Sequence, residues 1–103
     1  MAEFDKRPPG SVMDYRITKS LPGGFEALAS DTQVPQGTRL KTEWNRKWYD
    51  LTVVRYAPKG HVLVYWNEWS GVWIDYITRS SLIIDRNEQA RLRESEPLNV
   101  DRQ

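Results

Sequence analysis

Cysteine is absent from this chain of 103 residues, and histidine occurs once, as His61. The lack of cysteine excludes a disulfide framework, a thiolate nucleophile and a cysteine-based zinc site. A metal role for His61 is not supported, because there is no second histidine and no carboxylate at ligand spacing. Glycine-rich phosphate loops, HExxH motifs and nucleophile elbows are missing as well. The sequence therefore predicts a protein that is not an enzyme and that uses no metal or cofactor.

A long apolar run is also absent, and neither sign of charge dominates. No segment approaches the roughly 20 apolar residues that span a bilayer, and the N-terminal MAEFDKRPPG has no apolar signal-peptide core. The formal net charge of +1 does not by itself indicate a polyanionic partner. We therefore predict a soluble chain without membrane contact, either monomeric or part of a larger assembly. We expect it inside the cell, in the nucleus of a eukaryote or the cytoplasm of a bacterium.

Aromatic residues are abundant instead. The chain has five tryptophans, and five of its aromatic residues lie between positions 65 and 76. Trp66, Trp69 and Trp73 are spaced so that they would share one face of an α-helix. The flanking sequences HVLVYW and WIDYI are β-branched and aromatic, however, and residues 67–71 are turn-like. The pattern therefore favours two strands joined by a loop.

Short strands account for residues 37–84. Alternation of apolar and polar residues, interrupted by turn signals, indicates a series of them. We place them at residues 38–44, 48–56, 61–66, 73–77 and 82–84. Five strands in about fifty residues are too few for a sandwich, and a sheet that closes on itself has no exposed edges. The predicted fold class is all-β, a small five-stranded barrel with flexible termini.

The N-terminal third carries a weaker signal. Residues 1–10 are polar and are predicted to be a disordered tail. Residues 11–36 form an extension in which apolar and polar side chains alternate over residues 13–17, so an additional strand is a candidate there. Residues 25–29 are predicted as one helical turn. Whether this extension packs on the barrel is left open by the sequence.

The C-terminal segment, residues 85–103, changes character again. Asp85 followed by Glu88 resembles a capping box at the start of a helix. Only Ala90 and Leu92 are apolar in the helical stretch, so we expect a short, frayed helix followed by a disordered tail.

Two motifs resemble a known family. Residues 44–53, WNRKWYDLTV, resemble the W-x-x-x-W-Y-x-A-x-V opening of Tudor, Agenet and chromo-barrel domains. Residues 66–77, WNEWSGVWIDYI, are similar to the chromo-barrel (Tudor-knot) pattern Y-x-G-W-x-x-x-W-D-E-W-V, and Leu82 falls at the family's closing Leu or Ile. The resemblance covers residues 37–84 and implies an SH3-like barrel.

The resemblance also implies a ligand, a methylated lysine or arginine on a peptide such as a histone-like tail. The residues that match the family's aromatic cage are Tyr49, Trp66, Trp69 and Trp73, with Trp44 as a further wall. A methylammonium group is held by several ring faces within about 6 Å, each contributing roughly 0.5–2 kcal/mol. Glu68 or Asp75 would be a rim acid that favours lower methylation states by accepting the remaining N–H.

Some positions depart from the family pattern. Glu68 stands where the family has glycine, and Trp66 replaces the cage tyrosine of the third strand. The larger Trp66 ring can fill part of the pocket itself. The same aromatic residues can also be core and hairpin packing, because aromatics dominate the energetics of small domains.

A second hypothesis is binding of DNA or RNA. Residues 37–84 have seven Lys or Arg against four Asp or Glu. Four of these basic residues gather in the first hairpin: Arg39, Lys41, Arg46 and Lys47. Basic residues interleaved with exposed aromatics suit single-stranded nucleic acid, although a solvated charged face has the same pattern. A third hypothesis is a protein-interaction barrel with no small-ligand pocket.

Overall fold

The computed structural model describes residues 12–69 and 73–94, arranged around a single sheet. Both predicted disordered tails and the middle of the second aromatic motif lie outside the described residues. The strands are β1 Val12–Met13, β2 Phe25–Ala27, β3 Arg39–Trp44, β4 Lys47–Val53, β5 Val62–Trp66, β6 Ile74–Ile77 and β7 Ile83–Asp85. Short 3₁₀ turns occupy Asn67–Trp69 and Arg79–Ser81, and the helix α1 covers Arg86–Glu94.

The prediction of an all-β fold is confirmed. The predicted number of strands, five, and the predicted closure of the sheet into a barrel are wrong. The described residues form a seven-stranded sheet in the order β1-β6-β5-β4-β3-β7-β2, with β1 and β2 at opposite edges. Each of the five predicted strands overlaps one of β3 to β7. The two additional strands come from the N-terminal extension: β1 pairs in parallel with β6, and β2 pairs antiparallel with β7. These short strands cover the edges of β6 and β7 instead of letting them join.

Strand β2 corrects the prediction of a helical turn at residues 25–29. Phe25 pairs with Asp85 and Ala27 with Ile83, so the backbone of this segment is hydrogen-bonded to β7. The unpaired edge of a sheet supplies hydrogen-bond partners that a single helical turn lacks. Tertiary pairing therefore overrides the local sequence preference.

The β3–β4 hairpin turns through Asn45 and Arg46, whose φ angles are 55° and 64°. Trp44 pairs directly with Lys47, so these two residues are the whole loop. Two-residue hairpin loops with positive φ at both positions favour Asn followed by Gly. Asn45 fits that preference, whereas Arg46 stands where glycine is favoured.

The core lies on one side of the strands. On β5 the residues Val62, Val64 and Trp66 are fully buried, while Leu63 and Tyr65 between them are half-buried. This alternation follows from the two-residue period of a strand. The same core includes side chains from the other elements: Leu28, Val34, Leu40, Leu51, Val53, Ala57, Ile77, Leu82, Ile84 and Leu92.

Arg79 joins several loops below this core. The side chain is only 8% exposed and donates hydrogen bonds of 2.6–3.0 Å to backbone carbonyls. The acceptors belong to Ala29, Thr32, Ala57 and Gly60. Burial lowers the pKa of Arg79, and Asp31 opposes that shift. The buried guanidinium thus adds charged donors to these loop carbonyls, two of which, those of Ala29 and Ala57, also accept backbone N–H groups.

Helix α1 is held mainly through a polar side chain. Gln89 is buried, and its Oε1 accepts hydrogen bonds from the Ala29 N–H at 2.8 Å and the Thr32 hydroxyl at 2.9 Å. Its Nε2 donates to the Ala27 carbonyl at 3.2 Å, and Leu92 packs into the core. Apolar content alone therefore underestimates how firmly this helix is attached. Among the residues that the structure describes, no helix is long and apolar enough to cross a membrane.

Candidate aromatic binding site

Five aromatic rings meet at one end of the sheet, and we call them the aromatic cluster. They belong to the segment after β1, to β3, β4 and β5, and to the first 3₁₀ turn: Tyr15, Trp44, Tyr49, Trp66 and Trp69. Trp66 is fully buried at the centre, and the other four are half-buried around it. The inward-facing positions of neighbouring strands thus bring together rings that are far apart in sequence.

The rings of the cluster contact one another directly. The centroid of Trp66 lies 5.7 Å from Tyr49, 5.8 Å from Trp69, 5.8 Å from Tyr15 and 6.2 Å from Trp44. All four contacts are steeply inclined, at 67–85°. Tyr49 and Trp69 are nearly parallel, at 22° and 5.8 Å. These are the usual distances of packed aromatic pairs.

This packing determines where a methylated ammonium group can fit. For a methyl group to lie between two parallel rings, the rings must be roughly 7–8 Å apart, which is twice a carbon–carbon contact distance. Tyr49 and Trp69 are 5.8 Å apart, so a cation does not fit between them in this arrangement. A ligand would have to separate these two rings.

The two predicted rim acids lie in different surroundings. Asp75 is 3% exposed, and its Oδ2 accepts a hydrogen bond of 2.8 Å from the Trp66 indole N–H. The acid is thus inside, against the central ring, because Asp75 pairs with the inward-facing Val64. Glu68 lies in the 3₁₀ turn and is exposed.

Trp73 is placed beside the cluster by the backbone. The Trp66 N–H donates to the Trp73 carbonyl at 2.9 Å, and the half-buried Trp73 side chain packs against the core. Four of the five predicted cage residues therefore form one set of touching rings, and the fifth lies next to the central one.

Sequence reasoning missed Tyr15 as part of this site. Its ring meets Trp66 edge-on, and its backbone N–H donates to the Ser81 hydroxyl at 2.8 Å. The alternation over residues 13–17 was a signal that Tyr15 faces inward. No local signal indicated which strand it faces.

Glu43 holds the segment that carries Tyr15. Its carboxylate accepts hydrogen bonds from the Thr18 N–H at 2.5 Å, the Thr18 hydroxyl at 2.6 Å and the Lys19 N–H at 3.0 Å. The hydrogen bonds from Thr18 lower the pKa of Glu43, helped by the N–H and charge of Lys19 and opposed by burial. Glu43 is only 4% exposed, although Arg39 on the same strand is exposed.

The four predicted nucleic-acid contacts do not form one surface. Lys41 pairs with Asp50 at 2.5 Å and lies 5.2 Å over the Phe25 ring. Lys41 and Arg39 both line a cleft of about 600 Å³, which also borders the start of α1.

The other two predicted contacts are at the turn. Lys47 is exposed and pairs with Trp44 in the hairpin, and Arg46 borders a different concavity of about 650 Å³. Its walls include Arg16, Lys19 and the Trp44 ring, and we call it the basic concavity.

Comparisons with protein-family models, curated proteins and solved structures gave no match. The resemblance to Tudor and chromo-barrel domains therefore rests on the two sequence motifs. Within residues 12–69 and 73–94, no three His, Asp or Glu side chains are grouped to hold a metal ion.

Proposed function

We propose that this protein is a non-catalytic binding module of the Tudor/chromo-barrel type that recognises a methylated lysine or arginine on a peptide. The observation that carries the proposal is the aromatic cluster, where half-buried rings from separate elements surround Trp66. The sheet order supports the barrel type. Within residues 37–84 the last strand, β7, pairs with the first, β3, although the sheet as a whole is open.

Trp66 is the floor of the proposed site and Trp69 its movable wall. Trp66 is fully buried and tied to Asp75, whereas Trp69 is half-buried at the end of a single 3₁₀ turn. Separating the Tyr49–Trp69 pair costs roughly 0.5–1.5 kcal/mol. A methylammonium that meets three ring faces gains roughly 0.5–2 kcal/mol from each. The gain is of the same order as the cost of moving Trp69, which also contacts Trp44 and Trp66.

Asp75 adds an acidic group beneath the rings. An acid next to the floor ring favours a cationic ligand over a neutral one of the same shape. Glu68, exposed in the 3₁₀ turn, is the predicted rim acid that would accept a ligand N–H and so favour a mono- or dimethylated group. Trimethyllysine, which has no N–H, tests that preference.

The test is a titration with peptides that carry lysine in the unmodified, mono-, di- and trimethylated states, with methylarginine peptides in parallel. We expect the NMR signals of the indole N–H groups of Trp44, Trp66 and Trp69 to shift together with the methylated peptides. Trp69→Ala should abolish binding.

The matched control is Trp48→Ala. Trp48 is also half-buried on β4, but it lies on the opposite face of the strand from Tyr49. This variant should bind as the wild type does. No shift at millimolar peptide, or an equal loss in both variants, contradicts the proposal.

Nucleic-acid binding is the second candidate, and it is favoured by the cations that border Trp44. The separation of Lys41 from Arg46, and the pairing of Lys41 with Asp50, weigh against a continuous phosphate track. Nucleic-acid binding is tested by measuring whether the protein binds a single-stranded oligonucleotide in a salt-dependent way. The double variant Arg46→Gln/Lys47→Gln should lose that binding.

A further inference from the structure

The basic concavity adjoins the aromatic cluster, and the two share Trp44. Arg16, Lys19 and Arg46 bring three positive charges to its walls. Within the described ranges, 12–69 and 73–94, the ion pairs join other residues, and neither the Arg16 nor the Arg46 guanidinium has an acidic partner. Two exposed guanidinium groups are thus available to an anion beside the proposed ligand site.

Arg46 occupies its position at a conformational cost. Its φ of 64° lies in the left-handed region, where a glycine would be unstrained. Its carbonyl accepts a hydrogen bond of 3.1 Å from Lys19 Nζ, which joins the turn to the N-terminal segment. The two-residue hairpin loop requires positive φ at both of its positions, so this conformation follows from the turn. The turn places Arg46 at the edge of the basic concavity.

Among the residues that the structure describes, one acidic side chain lines the concavity, and it is already engaged. Glu43 accepts hydrogen bonds from Thr18 and Lys19, and its lowered pKa keeps it ionised at neutral pH. The three cations therefore exceed the local negative charge by two. The negative charge of ionised Glu43 would repel a row of phosphates that crosses the concavity. A single anionic group near Arg16 and Arg46 is compatible with that charge.

We propose that the basic concavity binds one acidic group, a carboxylate or a phosphorylated side chain, of the same peptide whose methylated residue enters the aromatic cluster. This inference rests on the proposed function. Guanidinium groups recognise carboxylates and phosphates through paired, charge-assisted hydrogen bonds. The Trp44 and Trp69 rings are 6.5 Å apart, and an extended peptide advances about 3.3 Å per residue. The acidic residue is therefore expected about two residues from the methylated one.

The experiment uses eleven-residue probe peptides with a central trimethyllysine, made with glutamate or with glutamine at the second and third positions on either side. The full-length protein is compared with the Arg16→Gln/Arg46→Gln variant. The control is Arg55→Gln/Lys59→Gln, which removes the same charge from exposed positions elsewhere. NMR spectra without peptide establish that both variants fold.

We expect the wild type to bind the glutamate peptide about tenfold more tightly than the glutamine peptide at low salt. This preference should fall to within about twofold in Arg16→Gln/Arg46→Gln and persist in the control. A peptide with phosphoserine in place of glutamate distinguishes the two anion sources, because the tighter of the two identifies the preferred group.

Three other outcomes overturn the inference in different ways. Equal binding of the glutamate and glutamine peptides, still lost in Trp69→Ala, overturns it and leaves the proposed function standing. No binding of either peptide overturns both. Binding of an oligonucleotide that requires Arg16 and Arg46, with no glutamate preference, reassigns the concavity to nucleic acid.

Discussion

Two of the contacts between the N-terminal extension and the rest of the chain differ in kind. Near Arg79 and Gln89 the polar groups are buried and each is paired with backbone or side-chain partners. At the aromatic cluster the outer rings are half-buried, and the neighbouring guanidinium groups of Arg16 and Arg46 face solvent. A fully paired, buried network holds the structure, whereas half-exposed rings and available charges suit a ligand. Substitutions at the first place should change stability, and those at the second should change binding.

The largest effect is expected at Arg79. Arg79→Met leaves four backbone carbonyls, two of them in buried hydrogen bonds, without their charged donor and should lower the free energy of unfolding by about 3 kcal/mol. The measurement is urea unfolding followed by tryptophan fluorescence. Arg55→Met is the control, because exposed Arg55 bonds only to the Tyr76 hydroxyl among the described residues and should cost less than about 0.5 kcal/mol. If both variants lose the same free energy of unfolding, the buried hydrogen bonds of Arg79 contribute no more to stability than the exposed bond of Arg55.

Gln89→Leu should cost about 2 kcal/mol, because the Ala29 N–H and the Thr32 hydroxyl lose their acceptor. Peptide affinity should stay within about twofold of wild type. Asn87→Leu changes an exposed amide on the same helix and is the control, read by the same unfolding curve. A loss of affinity in Gln89→Leu would contradict the separation of the two regions.

Trp69→Ala, in contrast, should change peptide affinity more than stability. Removing a half-buried ring should cost about 1.5 kcal/mol, less than a fully buried one. Binding of a methylated peptide should fall at least about tenfold. Calorimetric titration with the folded variant measures the second effect. Unchanged affinity would mean that the rings serve only as packing.

Glu43 links stability to pH at the edge of the cluster. Its folded-state pKa is lowered, so its stabilising contribution is present above the ordinary glutamate pKa and is lost as pH falls through the lowered value. Melting temperatures measured from pH 6 down to pH 3 should therefore fall less steeply in Glu43→Gln than in the wild type. Glu68→Gln, which removes an exposed carboxylate, is the control for charge. Parallel curves for the wild type and Glu43→Gln would refute the link.

The smallest effect is expected at the hairpin turn. Arg46→Gly relieves a left-handed conformation and should raise the free energy of unfolding by about 0.5 kcal/mol, part of the gain being offset by the flexibility of glycine. Asn45→Gly should change it less, because asparagine tolerates positive φ. Thermal melting compares the two. A destabilised Arg46→Gly would show that the Arg46 side chain itself stabilises the turn.

Much of the candidate site was predictable from the sequence. Trp44, Tyr49, Trp66 and Trp69 were identified because their spacing matches two motifs, and strand alternation puts the first three on the inner face. The close stacking of Tyr49 on Trp69 was not predictable. Sequence spacing indicates on which side of the sheet a ring lies, but not the angle at which the ring is turned.

The basic residues show the opposite case. Arg39, Lys41 and Arg46 are close in sequence, and a local pattern joins them into one patch. Their positions along β3 and its turn, and the Lys41–Asp50 pair, divide them between two concavities.

The sequence by itself determined the β-character of residues 37–84, because side-chain alternation and turn residues act over a few positions. Only the tertiary structure decided the open seven-stranded sheet and the contacts of Tyr15 and Glu43. Those contacts join residues that are 66 and 25 positions apart, Tyr15 to Ser81 and Thr18 to Glu43. Such pairings depend on which edges and buried acceptors remain available once the strands have assembled, and no local pattern records that.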